Sequence, residues 1–278
     1  MRLSAKPRVA PEIPADDPNL FVEIRPHLPV GVMGRRFLAC QETESTNSLA
    51  LALAALDAPE GSVVVADYQI AGRGRQGRAW VAPPGTSLLV SILLRPNCPP
   101  ERVPQLSLVS GVAVREALAL FGVETHLKWP NDLLLHGKKL GGILLEASSS
   151  PGGDPIVVVG LGLNVHQGRE DFLPELRNRA TSLAIESARP IDKAALLELV
   201  LASLDRWYAT YLRDGFAPVR EAWLEGAAGL GQWVRVDGQK VAGRVVDLAS
   251  DGSLILEVDG RRRFQIRAGE IFDNAPGH

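Results

Sequence analysis

Cysteine is scarce in this 278-residue chain: only Cys40 and Cys98 are present, in unrelated contexts and without paired spacing. That excludes a disulfide framework and a paired-cysteine zinc site, and it fits a reduced, cytoplasmic interior. Histidine is sparse as well, and His126, His136 and His166 lack metal-ligand spacing, which makes each a surface or packing residue. No serine, histidine or cysteine nucleophile motif is found. An excess of one charge is also lacking: 30 Lys plus Arg against 32 Asp plus Glu leave a net charge of -2. No global field therefore attracts nucleic acid or an anionic membrane, and any basic surface is local. Met1 to Leu28 hold no apolar stretch long enough for a signal peptide or a membrane span. Neither an internal repeat nor a low-complexity tract stands out.

What is present is ordinary globular material, 46% hydrophobic and 22% charged, long enough for one large domain and one or two small ones. Residues 1–35 read as an irregular extension, punctuated by Pro7, Pro11, Pro14, Pro18, Pro26 and Pro29. Thr43-Glu44-Ser45-Thr46-Asn47 precedes a helix-like stretch from Ser48 to Leu56, so a helix cap is one reading of Ser45 or Thr46. Strands are expected at Ser62–Tyr68, Ser87–Leu94, Glu124–Trp129, Leu133–Leu135, Gly142–Ala147 and Ile156–Leu161, with His136-Gly137-Lys138 as a turn. A helix from Gln105 to Phe121 ends on Gly122, and a longer one from Ile191 to Asp214 carries a core stripe of Leu196, Val200, Leu204, Trp207 and Tyr211. Beyond Ala228, short alternating strands are joined by Asp237-Gly238, Asp251-Gly252 and Asp259-Gly260, pairs that favour tight hairpins. The expected fold class is α/β (α+β): a mixed β-sheet covered by helices over 36–228, then a small C-terminal β-barrel over 229–278.

Four strings concentrate the chemistry. Gly72-Arg73-Gly74-Arg75-Gln76-Gly77-Arg78-Ala79-Trp80 spaces three arginines with glycines directly after an apolar strand. Glycines let backbone amides converge on an anion, and guanidinium forks match phosphoryl or carboxylate oxygens two at a time. The string satisfies the dinucleotide fingerprint, but Pro83 and Pro84 break the helix that should follow and Arg95–Asn97 hold no acidic partner. A disordered Arg/Gly segment is excluded by its single short run between apolar strands. A solvated basic turn is the competing reading. Lys128-Trp129-Pro130-Asn131-Asp132 places an amide and a carboxylate at a strand end, where turn chemistry competes with a site. Lys138-Lys139-Leu140-Gly141-Gly142 reads equally as cationic site or hairpin tip, and Gly160-Leu161-Gly162-Leu163-Asn164 suggests a ligand lying against backbone.

In this order, and with Glu44-Ser45-Thr46-Asn47 ahead of them, the strings resemble the biotin protein ligases, enzymes that activate biotin with ATP and transfer it to a lysine. The resemblance spans Phe37 to His278 and implies the synthetase-like catalytic fold of that family with its small C-terminal barrel. It also implies roles. Ser45, Thr46 and Gln69, with the backbone at Gly72 and Arg73, would hold the ureido head of biotin, and Asn47 would be a further biotin-binding residue. Arg75 and Arg78 would hold the phosphates and acyl-adenylate, and Trp80 would pack near the adenylate. Asn131 and Asp132 would face ATP and Mg²⁺, with Asp132 also a candidate base for the acceptor lysine. Lys139 would bridge the carboxylate and the α-phosphate. Gly141, Gly142, Gly160 and Gly162 would let backbone meet biotin or adenylate, and Asn164 would be the adenylate-side amide.

Two departures accompany the resemblance. Gln69-Ile70-Ala71 stands where many members carry two polar residues before alanine, and residues 1–35 show no helix-turn-helix pattern. The expectation is a monofunctional ligase using ATP, Mg²⁺ and biotin, with a biotin carboxyl carrier domain as acceptor, no specific DNA binding and no membrane partner. Edge strands leave a homodimer open. The rivals are a lipoate or octanoate ligase of the same superfold, which a substrate panel separates, and a non-catalytic nucleic-acid-binding regulator, which salt-sensitive binding without pyrophosphate release would reveal.

Overall fold

The computed structural model describes residues 20–21, 31–150, 152–187, 190–237 and 241–273. Most of the 1–35 extension, and Gly238 of the first Asp-Gly turn, lie outside the described residues. In chain order the elements are β1 (Leu20–Phe21), β2 (Phe37–Thr43), α1 (Thr46–Ala55), β3 (Val63–Gln69), β4 (Ser87–Leu94), α2 (Gln105–Leu120), β5 (His126–Lys128), β6 (Asp132–Leu135), β7 (Lys138–Ser149) and β8 (Pro155–Asn164). There follow α3 (Leu183–Glu186), α4 (Lys193–Asp214), α5 (Ala217–Glu225), β9 (Trp233–Val236), β10 (Ala242–Leu248), β11 (Leu254–Val258), β12 (Arg262–Ile266) and β13 (Ile271–Asp273).

The first eight strands form one mixed sheet in the order β1-β2-β3-β4-β8-β7-β6-β5. Only β2 and β3 run parallel, and α1 supplies the crossover that a parallel pair requires. All eight residues of β4 are buried, because helices cover both faces there. Strand alternation sorts its side chains. Val90, Ile92 and Leu94 join Val109 and Val112 of α2 and Val200 and Leu204 of α4 in the large core, whereas Leu93 packs with Ala50 and Leu53 of α1. On β8, Val157, Val159 and Leu161 follow the first group and Val158 the second, so Gly160 and Gly162 lie on the α1 face. Segment Pro100–Leu120 is long and apolar enough by composition to cross a membrane, yet it is mostly buried as a core helix.

The long helix runs where the stripe places it. Asp192 caps it, accepting from the amides of Ala194 and Ala195, and Leu196, Val200, Leu204 and Tyr211 are buried. Trp207 is half-buried and donates its Nε1 to Glu116 at 2.5 Å. Strand β7 is longer than its glycine-flanked apolar run, and β5 is shorter at both ends, beginning at His126 and ending at Lys128, where the chain turns through Trp129-Pro130-Asn131 into β6. Five elements escape the sequence reading: β1, inside the extension expected to be irregular, β2, whose burial does not alternate, the short α3 and β13, and α5, whose nine residues bury only Val219 and Trp223.

The C-terminal β unit is a five-stranded antiparallel sheet ordered β12-β11-β10-β9-β13. Asp259 and Gly260 both take positive φ, as their hairpin turn needs. This sheet is docked on the helices. Leu254, Leu256 and Ile266 belong to the same apolar cluster as α2 and α4. Arg220 of α5 donates to Leu248 O at 2.7 Å and pairs with Asp247, Gln105 reaches Ser250 O at 2.9 Å, and the Trp129 indole reaches Gly252 O at 3.1 Å.

Candidate active site

The site is built on the α1 face of the sheet. Register places Val64, Ser91, Gly160 and Leu144 in one row across β3, β4, β8 and β7, and Ala66, Leu89, Gly162, Gly142 and Asp132 in the next. The glycines act by what they leave empty. A Cβ on Gly160 would lie 2.2 Å from Asn47 Oδ1, and one on Gly162 would lie 2.7 Å from Cε2 of Trp80. A Cβ on Gly141 would lie 2.7 Å from the Gly162 carbonyl oxygen, so there the need is strand-to-strand approach.

At the α1 end, Ser45 occupies the N-cap position, but its side chain does not cap the helix. Gln69 Oε1 instead accepts from the Thr46 amide at 2.8 Å and the Thr46 hydroxyl at 3.0 Å. The Ser91 hydroxyl lies 2.7 Å from Thr46 Oγ1 and 2.6 Å from Asn47 Oδ1. Asn47 Nδ2 donates to Glu146 Oε2 at 2.7 Å and Leu144 O at 3.3 Å. Ser45, Thr46, Asn47 and Ser91 are all buried. Polar groups are kept this dry only when their hydrogen bonds are met, so the network holds the head of the site in one arrangement.

The arginine loop is an ordered hairpin. Arg73 bridges to Ala79, the Trp80 amide donates to Gly72 O at 2.9 Å and the Gly74 amide to Arg78 O at 2.7 Å. The chain reverses at Gln76 and Gly77, both at positive φ. Residues 71–79, with Leu144 and Glu146, line a cavity of about 580 Å³. Arg73 donates to both Glu146 oxygens, at 3.1 and 2.8 Å, and to Ser48 Oγ at 2.9 Å. Arg75 donates to Asn131 Oδ1 at 3.2 Å and Gly269 O at 3.4 Å, and Arg78 pairs with Glu270. Burial pushes the Arg75 pKa below its ordinary value, with Asp132 opposing and Arg78 reinforcing. Such a desolvated cation beside a second one is poised to gain from an anion. Trp80 Nε1 is buried without a hydrogen-bond partner among the described residues, a donor a ligand would satisfy.

Lys139 owes its place to a bulge. Alternation back from Gly142 would put Leu140 on the site face. The register shift, in which Leu133 pairs with Gly141 but Leu134 with Lys139, buries Leu140 and turns Lys139 toward the site. Its Nζ donates to Asp132 Oδ1 at 2.6 Å. Asn131 is anchored by its own Nδ2 on Ile143 O at 2.7 Å. Thus Lys139, Asp132, Asn131, Arg75 and Arg78 come together beside the loop. Asn164 stands apart, buried, with Nδ2 on Thr181 O at 3.0 Å and Oδ1 receiving Gln167 at 3.0 Å. Sequence reasoning passed over Ser91, Glu146, Gly269 and Glu270. For the first two the local signal is faint, a serine inside the apolar β4 and a lone carboxylate four residues past Gly142, and only the register shows what they meet.

Residues 38–164 match the Biotin/lipoate A/B protein ligase family, ending where β8 ends. The Biotin--[acetyl-CoA-carboxylase] ligase of Paracoccus denitrificans is 38% identical over 237 residues, which is 83% of this chain and 97% of that relative. This chain belongs to the biotin/lipoate protein ligase family. A second relative in this family, the Bifunctional ligase/repressor BirA of Bacillus spizizenii, is 38% identical over 238 residues, covering 84% of this chain and 73% of the relative. The structure of biotin protein ligase from Aquifex aeolicus in complex with biotin and ATP superposes with a TM-score of 0.74 at 28% identity, covering 86% of this chain and 98% of that one. The ligase match accounts for both the mixed, helix-covered sheet and the C-terminal antiparallel sheet.

Proposed function

We infer that this chain is a biotin protein ligase: it joins biotin to ATP as biotinyl-5′-AMP with release of pyrophosphate, then transfers the biotinyl group to a lysine of a biotin carboxyl carrier domain. The observation that carries the reading is the pairing of two environments on the α1 face of the sheet, beside the arginine loop whose residues line the cavity. One end is a dry amide and hydroxyl network at Gln69, Thr46, Ser91 and Asn47, suited to a neutral polar head group. The other is a cluster of Lys139, Arg75 and Arg78 with Asn131 and Asp132, suited to phosphates.

The chemistry requires both. A biotin carboxylate oxygen attacks the α-phosphorus and the bond to pyrophosphate breaks, so two anions must meet while charge grows on the phosphoryl oxygens. Fixed cations stabilise that state. Lys139 is positioned to lie between carboxylate and α-phosphate, with Asp132 holding its ammonium until the ligands arrive. Arg75 and Arg78 are the phosphate donors, and Arg78 must exchange Glu270 for an anion to serve. In the second step the acceptor amine attacks the acyl carbon and AMP leaves. Asp132 is the carboxylate at hand to take the amine's proton.

Magnesium fits this site as a companion of the nucleotide. Among the described residues no three His, Cys, Asp or Glu side chains form a cluster, and Mg²⁺ typically sits on substrate phosphates and waters with one or two carboxylates. Asp132 would supply the carboxylate, and the ion would screen phosphate charge. We place the enzyme in the cytoplasm, where its two cysteines, which form no disulfide, would stay reduced. The reading includes neither DNA binding nor a required dimer.

The test is incubation with biotin, MgATP and a carrier domain, following pyrophosphate and carrier mass, beside a lipoate arm. A biotin-dependent mass gain is expected, and labelling by lipoate alone would move the chain to lipoate chemistry. A further result is expected at Gly162. Its alanine variant pushes a methyl into the Trp80 ring, which must tilt away, and overpacking of this kind should raise the KM for ATP roughly tenfold. Biotin affinity, measured by calorimetry without ATP, should stay within about threefold, because Trp80 is not part of the head-group network.

A further inference from the structure

We propose that Glu146 is a positioning residue for the first ligand, tying the arginine loop to the head-group network so that loop closure and head-group recognition form one unit; this rests on the biotin reading above. Its carboxylate sits on β7 at the cavity wall. One oxygen receives both Asn47 Nδ2 at 2.7 Å and Arg73 Nη2 at 2.8 Å, and the other receives Arg73 at 3.1 Å. Through Asn47 the chain of contacts continues to Ser91, Thr46 and Gln69.

Each end of this chain needs the middle. Asn47 is buried, and its amide orientation is set by Ser91 on Oδ1 and Glu146 on Nδ2. The Arg73 side chain is 43% exposed, so without a partner it would belong to solvent, and Glu146 and Ser48 are what draw it back against α1. Arg73 is also the second residue of the hairpin, bridged to Ala79, so fixing its side chain fixes the strand of the loop that walls the cavity. An exposed ion pair elsewhere on the surface would leave ligand binding and loop motion alone. This pair differs because its carboxylate is shared with a buried amide inside the binding wall, where charge-assisted contacts are strong and the alternatives are few.

The test compares wild type with Glu146→Gln and Glu146→Asp, and adds Arg73→Met alone and combined with Glu146→Gln. The expected result is a rise in the KM for biotin of roughly 10- to 100-fold in Glu146→Gln, with kcat changed by less than about threefold. Glu146→Asp should recover part of the loss, and the double variant should be no worse than the worse single one, since both remove the same tie. A readout independent of catalysis is amide exchange in the ligand-free protein: residues 72–79 should exchange faster in Glu146→Gln while β3 and β4 keep their protection. Unchanged exchange in the loop overturns the proposal, as does a KM for biotin within twofold of wild type or a tighter one. If wild type labels no carrier with biotin, the functional reading fails, and the exchange experiment still decides the role of Glu146.

Discussion

Replacing Lys139 by alanine should slow biotin-dependent pyrophosphate release by roughly 100- to 1,000-fold, the range seen when one preorganised donor to a developing oxyanion is lost. Two properties of the structure set that expectation. Lys139 reaches the site face only because the β7 bulge turns it there, and its ammonium is held 2.6 Å from Asp132, the residue after Asn131, which partners Arg75. Arg75 and Arg78 do not duplicate it, because on this reading both leave their ligand-free partners Asn131, Gly269 O and Glu270 to serve the phosphates. The fold itself should barely notice. The Lys139 and Asp132 side chains are 38% and 25% exposed, and pairs of that kind contribute about 0 to 1 kcal/mol, which would move the Tm by no more than about 4 °C. Stopped-flow pyrophosphate detection beside a thermal melt checks both. A variant that keeps adenylation within threefold of wild type would remove Lys139 from the reaction.

The sequence and the structure agree best where a signal is local. The four strings lie at strand ends or on strands facing one side of the sheet, and the Asp259-Gly260 and His136-Gly137 turns take the positive φ their residue types permit. Helix α4 was legible from its stripe because an apolar face at helical spacing has one use in a long amphipathic segment. What could not be read was long-range. Glu146 looks like any exposed charge until register sets it beside Asn47, and Ser91 is one hydroxyl among leucines until β4 is found under α1. Glu270 lies 192 residues beyond Arg78, with no pattern linking them. The glycines gain a second role beside the backbone contact with a ligand that the strings suggest: Gly160 and Gly162 make room for Asn47 and Trp80.

Gly160→Ala should weaken biotin binding by about 30- to 150-fold, equivalent to roughly 2 to 3 kcal/mol. The added methyl would stand 2.2 Å from Asn47 Oδ1, 2.9 Å from its Cγ and 3.0 Å from its Nδ2, so the whole amide must move. It has nowhere to go. Ser91 lies against one end of the amide, Glu146 and Leu144 O against the other, and only 3% of Asn47 is exposed. A rotated Asn47 releases Ser91 and Glu146 together, leaving buried polar groups without partners and loosening the carboxylate that ties Arg73 to the wall of the cavity. Binding should therefore fall further than a lone methyl clash would cause. Calorimetric titration with biotin checks the affinity, and an Asn47→Ala/Gly160→Ala double variant separates the cause. Because removal of the amide relieves the clash, the double variant should bind no worse than Asn47→Ala alone. Additive losses would instead mean that Gly160 meets the ligand directly, the role the resemblance implied for it.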